Sequence, residues 1–219
     1  MNIFDMIGPV MVGPSSSHTA GAARAGYVAR MLLGEEPAKA VVTLSGSFAR
    51  TYQGHGTDRA IIGGILGFSP SDLHIRNSFE EAKKKRLCYT FRMEDLENAS
   101  PNTAKIELQG ANGSVISTII SSVGGGVVQV VRINDADVQF SAEYPTTVIF
   151  NDDKPGIVAK VSEHFADHHI NIAFMRLFRK AEGQEAIMVI ESDQKVGAKI
   201  LEALRQCEHI NKVISIEPF

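Results

Sequence analysis

The residues of this chain best placed to do chemistry stand near its start. Ser15-Ser16-Ser17-His18-Thr19 sets four hydroxyls and one imidazole in an unbroken row. Small residues follow, from Ala20 to Gly26, and Pro14 precedes. Proline suits the approach to a helix but not its interior, and serine and threonine are preferred N-caps because their hydroxyls accept from orphan N–H groups. The pattern predicts a helix that begins near Ser17 or His18, runs to about Leu33 and stops at Gly34. Ala25, Val28, Ala29 and Leu32 would form its apolar stripe. Such a helix start offers hydroxyls, an imidazole, free N–H groups and the positive end of the dipole, which together can cradle a carboxylate or a phosphate. The plainer alternative is that the serines only cap the helix.

A second histidine stands out by its neighbours. His55 lies between two glycines in Gln53–Asp58, QGHGTD. Glycine on both sides would let the backbone turn sharply and present the imidazole, and Thr57 and Asp58 suit the cap of a following helix, Arg59–Leu66. A structural or surface histidine is the ordinary alternative. Two other conspicuous strings are read as structure. The basic run Lys83–Arg86 ends a predicted surface helix, Ser71–Arg86, and faces water. Gly124-Gly125-Gly126 lacks the Lys-Ser/Thr and helix of a phosphate loop and lies between strand patterns, so a turn or bulge is expected.

The elements that would position these groups read as follows. Ala40–Ser45 is a β-rich strand, and Gly46-Ser47-Phe48-Ala49 opens a short helical segment. Cys88–Arg92 is a strand. Pro101-Asn102-Thr103 precedes the strand Ala104–Leu108, and Asn112-Gly113 is a hairpin turn before Val115–Ser122. Val127–Ile133 and Asp137–Phe140 add strands around the Asn134-Asp135 turn. Residues 1–141 thus predict helices followed by an antiparallel meander, an α+β domain. After a linker at Glu143–Pro145 the order becomes β-α-β-β-α-β, which predicts a ferredoxin-like unit. Its elements are Thr146–Asn151, Ile157–Asp167, Asn171–Arg179, Glu185–Ser192, Gln194–Gln206 and Lys212–Ile216.

Composition narrows the function classes. A chain of 219 residues, 44% hydrophobic and 21% charged, suits one or two globular domains. A net charge of −3 argues against a general nucleic-acid binder. No apolar run approaches membrane-spanning length and Met1–Asp5 carries no secretory signal, leading almost directly into structure, so a soluble cytoplasmic protein away from membranes is expected. The two cysteines, Cys88 and Cys207, have neither disulfide nor zinc spacing and are too few for an iron–sulfur cluster.

The ordered set GPSSSHTAGAARAG, GHGTD, PNTAK and the glycine-rich hairpin resembles the β chain of the iron–sulfur L-serine dehydratases over nearly the whole length. The DKPG turn at Asp153–Gly156, with Asn171-Ile172 at the second strand, resembles an ACT domain. The resemblance implies an N-terminal α+β domain of allosteric-substrate-binding type (1–143), an ACT domain (146–219), and conversion of L-serine to pyruvate and ammonia. It implies a 4Fe–4S cluster on a separate α subunit, whose iron would act as Lewis acid on the substrate hydroxyl. It assigns Ser15, Ser16, Ser17, His18 and Thr19 to the carboxylate or the site lining. His55 becomes the candidate acid/base, with Thr57 and His18 beside it, and Asn102 and Thr103 become further lining. The Asn102-Thr103 pair is otherwise simply the start of a strand. ACT-like units commonly self-associate and bind amino acids where they meet, which implies the same here. A different class stays open: a non-catalytic subunit that senses serine and regulates a partner. A sensor has no need of a histidine between glycines, whereas a dehydratase requires a proton-transfer group.

Overall fold

The computed structural model describes residues 10–179 and 181–218. Met1–Asp5, expected to lead into structure, lies outside the described residues. The chain divides into two compact units after Asn134.

In the first unit a π-helical turn, Ser16–Gly21, runs directly into α1, Ala22–Leu33. Gly34 ends α1 in the left-handed conformation at φ 81°, as its position after the apolar stripe predicts. Then follow β1 (Pro37–Ser45), α2 (Gly46–His55), α3 (Thr57–Ile65), a 3₁₀ turn (Leu73–Asn77) and α4 (Ser78–Lys84). The strands β2 (Cys88–Met93), β3 (Asn102–Gly110), β4 (Val115–Gly124) and β5 (Val127–Ile133) complete the unit. They lie in the order β2-β1-β3-β4-β5.

This arrangement corrects the simple meander. β2 pairs with β1 in parallel, and α2, α3 and α4 form the crossover between them. Parallel neighbours need a long connection, and the expected single helix at Ser71–Arg86 is instead the 3₁₀ turn and α4. The remaining pairs are antiparallel, with Val42 opposite Ile106 and Leu44 opposite Ala104. Those residues, with Ala40, Leu108, Ile116, Ile120 and Val130, are buried on the helix-covered face. Strand alternation explains why one face of each strand is apolar.

α1 packs on α3 and on β3 and β4. Its contact with α3 needs glycine. A Cβ on Gly64 would stand 1.9 Å from the carbonyl oxygen of Ala23, and one on Gly26 would stand 2.2 Å from that of Ile61. Gly64, one of the two glycines that weaken α3 as an isolated helix, thus lets the two backbones touch, while Gly63 faces Ile75 of the 3₁₀ turn.

The second unit begins with β6, Ala136–Phe140, whose Val138 and Phe140 are buried. β7 (Thr146–Asp152), α5 (Ile157–Asp167), β8 (Ile172–Arg179), β9 (Glu185–Ser192), α6 (Ala198–Arg205) and β10 (Ile210–Ile216) then give the β-α-β-β-α-β order. The sheet order is β10-β7-β9-β8, with every pair antiparallel. Val161 and Phe165 of α5 and Ile200 and Leu204 of α6 close one core with Ile149, Met188, Ile190 and Val213. This is the ferredoxin-like arrangement, and the protein as a whole is α+β.

Candidate active site

The serine-rich stretch folds as a cap and a widened helical turn. Ser15 has extended backbone (φ −140°, ψ 128°) and its hydroxyl accepts from the N–H of His18 at 3.2 Å, an N-cap bond. Because the turn is π-helical, it presents one more residue per turn than an α-helix would, and such turns recur at functional sites. Ser17 Oγ lies 3.0 Å from His18 Nδ1, Ser15 Oγ lies 3.4 Å from the same nitrogen, and the two hydroxyls are 3.3 Å apart. Ser16 is half-buried on the same turn.

α2 closes on this imidazole. Ser47 Oγ reaches His18 Nε2 at 3.1 Å. Phe48, fully buried, meets the ring edge-on at 5.3 Å between centroids. His55 ends the same helix, and its ring stands 4.8 Å from that of His18. Phe48 and His55 are seven residues apart, two turns on one helix face, so one element holds the ring from both ends. Burial, and then the repulsion of a second charge by His55, hold the His18 pKa below its usual value. His18 is therefore a neutral ring with one donor and one acceptor nitrogen.

The GHGTD segment does part of what its glycines suggest. Gly54 is an ordinary helical residue within α2. The turn belongs to Gly56 alone, left-handed at φ 65°, which caps α2 and starts α3. His55 is thus presented by a helix end, half-buried, with its Nδ1 shielded and without a hydrogen-bond partner. Thr19 is buried, and its hydroxyl donates to the His55 carbonyl at 3.1 Å, tying the π turn to the end of α2. Thr57 is wholly buried at the first position of α3, its hydroxyl unpartnered. Burial raises the pKa of the neighbouring Asp58.

Asn102 starts β3 and bridges Gly46, at the end of β1 from which α2 departs. Its Oδ1 is shielded and unpartnered. Thr103, one residue on, points to the opposite face of the sheet and is saturated there: its hydroxyl donates to the Ser100 carbonyl at 2.8 Å and lies 2.7 Å from Ser121 Oγ. The structure therefore brings Ser15, Ser17, His18, Thr19 and His55 together, sets Asn102 at the root of α2, and turns Thr103 away. Sequence reasoning missed Ser47 and Phe48. Their signal was available in the seven-residue spacing of Phe48 and His55, though only the fold shows that His18 fills the gap. It also missed Ser122, buried with an unpartnered hydroxyl against the π turn, where a Cβ on Gly21 would come within 2.1 Å of Ser122 Oγ.

Among the described residues no three His, Cys, Asp or Glu side chains converge to hold an ion. Cys88 is exposed at the start of β2, while Cys207, in the second unit, lies 3.3 Å from His164 Nε2. A 4Fe–4S cluster needs about four thiolates, so these residues do not fit one. No helix among the described residues is long and apolar enough to cross a membrane.

A two-part α+β protein with a hydroxyl–imidazole site at a helix start, followed by a ferredoxin-like unit, is the class defined by these features. The comparisons with known proteins carry the assignment further. Residues 2–90 match the serine dehydratase beta chain family and residues 146–209 match the ACT domain. The chain is 44% identical over 215 residues to the probable L-serine dehydratase beta chain of Bacillus subtilis, covering 98% of this chain and 97% of that one. It is 36% identical, with the same coverage, to the L-serine dehydratase beta chain of Peptoniphilus asaccharolyticus. It also matches L-serine dehydratase 2 of Escherichia coli at 40% identity over 81 residues, 34% of this chain and 17% of that longer protein. This chain belongs to the serine dehydratase beta chain family, and its C-terminal part is an ACT domain.

Proposed function

We propose that this chain is the β subunit of an L-serine dehydratase that converts L-serine to pyruvate and ammonia, working with a separate α subunit that carries the 4Fe–4S cluster. The observation that carries the proposal is the meeting of the Ser15–Thr19 helix start with His55 at the end of α2. Whole-length likeness to two chains named as beta chains of L-serine dehydratases supports it. The two cysteines that do not fit a cluster accord with a cluster housed elsewhere.

In this proposal each residue has a defined task. The substrate carboxylate sits against the hydroxyls of Ser15, Ser16 and Ser17 and the N-terminal N–H groups of the π turn, which favour an anion. Neutral His18 fixes the hydroxyls without adding charge. His55 moves the proton, and its Nδ1 is shielded and without a partner, as is the hydroxyl of Thr57 at the start of α3. Thr19 holds the His55 helix end in place, and Asn102 lines the root of α2. Loss of the α-proton and the β-hydroxyl as water leaves an enamine, which tautomerises and hydrolyses to pyruvate and ammonia. The two domains of the proposal are 1–143 and 146–219. The ACT domain self-associates, and the protein works in the cytoplasm.

Co-expression with a cysteine-bearing α chain, anaerobic purification and a pyruvate assay with L-serine tests this. Pyruvate formation by the pair, and none by this chain alone, is expected. A cluster with turnover on the isolated chain overturns the two-subunit proposal. A pair that binds serine without ever forming pyruvate overturns the dehydratase proposal in favour of a sensor.

A further inference from the structure

Ser47 brings a hydroxyl to His18 from outside the serine-rich stretch, across 29 positions of sequence. Its backbone is held at two points. The Ser47 N–H donates to the Pro101 carbonyl at 2.5 Å, and the Ser47 carbonyl accepts from Thr51 Oγ1 at 2.9 Å. Phe48, the next residue, is wholly buried and fixes the first turn of α2 against the imidazole. The hydroxyl at Nε2 therefore sits on an anchored frame, while the hydroxyls at Nδ1 belong to a helix cap.

A neutral imidazole has one donor and one acceptor nitrogen, and the bond made at one sets the role of the other. Hydroxyls serve either way, so the chain Ser47–His18–Ser17 has two possible directions. If Ser47 accepts from Nε2–H, then Nδ1 accepts a proton from Ser17, at 3.0 Å, or from Ser15, at 3.4 Å, and one hydroxyl proton of the helix start is consumed inside the cluster. If Ser47 donates to Nε2, then Nδ1–H donates to Ser17 Oγ, and the Ser17 O–H is free to donate to an anion. Only the second direction leaves the helix start with its full set of donors.

We infer that Ser47 is a positioning residue that donates to His18 Nε2, holds His18 as the Nδ1–H tautomer, and so directs the Ser17 hydroxyl proton at the substrate carboxylate. The last step rests on the proposal that the Ser15–Thr19 helix start binds that carboxylate. The low pKa of His18 agrees with this, since a neutral ring is required.

The test uses the full chain with ¹⁵N-labelled histidine, the His18 ring signals being identified by their loss in His18→Gln. Two-bond ¹H–¹⁵N spectra are expected to show the Nδ1–H pattern in the native chain. Ser47→Ala should move the ring toward the other tautomer, and Ser47→Thr should restore it. In the assembled enzyme Ser47→Ala should raise KM for L-serine on the order of tenfold while kcat changes less, because one donor to a charged group is misdirected. Ring signals that are the same in Ser47→Ala and native chain overturn the inference, whatever the kinetics. A changed tautomer with an unchanged KM keeps the Ser47–His18 coupling but overturns the directed Ser17 proton and, with it, the carboxylate cradle.

Discussion

The two units each gather polar side chains at the end of a strand, and they do so on opposite plans. At the end of β7, Asp152 bonds His209 Nδ1 at 3.1 Å and Asn211 Nδ2 at 3.2 Å, while Asp153 takes the Gly183 N–H at 3.0 Å and Arg179 Nη1 at 3.2 Å. The bonds of these two carboxylates are matched donor to acceptor, so the pair fastens turns. At the end of β1 the groups are part-buried, His18 is held neutral, and His55 Nδ1, Thr57 Oγ1, Asn102 Oδ1 and Ser122 Oγ have no partner. A shielded polar atom without a partner costs about 1–3 kcal/mol. Such cost collected at one end of a sheet marks groups reserved for something other than folding. Single orphans occur elsewhere, Ser78 at the start of α4 and Thr147 and Asn151 on β7, the last beside Asp152, but four of them gather around the His18 ring end of the first unit.

The largest effect expected from this contrast comes from exchanging a histidine in each cluster. In the assembled enzyme His55→Asn should lower kcat by about 10²–10⁴-fold, the usual worth of general acid–base catalysis. His209→Asn should leave kcat within about twofold, as surface changes do. Steady-state pyruvate formation decides the matter, and equal losses would erase the distinction between the clusters.

Removing a hydroxyl comes next. Ser17→Ala should raise KM for L-serine by roughly tenfold or more with a smaller change in kcat, since a hydrogen bond to a charged group is worth about 1.5–3 kcal/mol. Kinetics that instead showed a lost kcat at constant KM would place Ser17 in proton transfer.

Acid should separate the units further. The folded His18 pKa is below its unfolded value of about 6.5. Between those two values the unfolded chain binds the extra proton, so stability falls as pH falls below about 6.5 and levels off under the folded pKa. Asp152 is lowered mainly by its bond from Asn211 and then by His209, and Asp153 mainly by the Gly183 N–H. Their contribution is present above about pH 3.9 and is lost as pH falls through the folded values. Thermal melting followed separately in the two units should therefore show an early loss confined to the first, and His18→Gln should flatten it.

The smallest expected effect compares two glycines that both face open space. Gly54 is helical, so Gly54→Ala should stabilise the chain by about 0.5–1 kcal/mol. Gly183 stands at φ 74°, so Gly183→Ala should destabilise it by about 1 kcal/mol or more. Calorimetric midpoints that moved the same way would show that the backbone of α2 is more constrained than its geometry implies.

Local signals carried much of this architecture. The serine cap, the apolar stripe and Gly34 mark α1 to within a turn, because capping and periodicity act over a few residues. The β-α-β-β-α-β order of the second unit follows from alternating strand and helix patterns in the same way. Long-range pairing was not legible. Nothing in Cys88–Met93 itself distinguishes a strand parallel to β1 from one in a meander, since its partner lies some 50 residues earlier. The site shows the same limit. Ser15, Ser17, His18 and His55 stand out by type and neighbours, whereas Ser47 and Phe48 gain their meaning only from the ring that folding brings against them.

The π turn at Ser16–Gly21 has a further consequence, one of phase. An α-helix advances about 100° per residue, so one residue more or less rotates everything on one side relative to the other. The turn acts as a local insertion that sets the bearing of Ser15, Ser17 and His18 independently of the stripe by which α1 grips the sheet. Deleting a single residue such as Ala20 would let the segment relax into regular α-helix. The stripe would keep its place, and the imidazole would swing by about a quarter of a circle away from Ser47. The molecule thus holds apart two alignments that an uninterrupted helix would lock together.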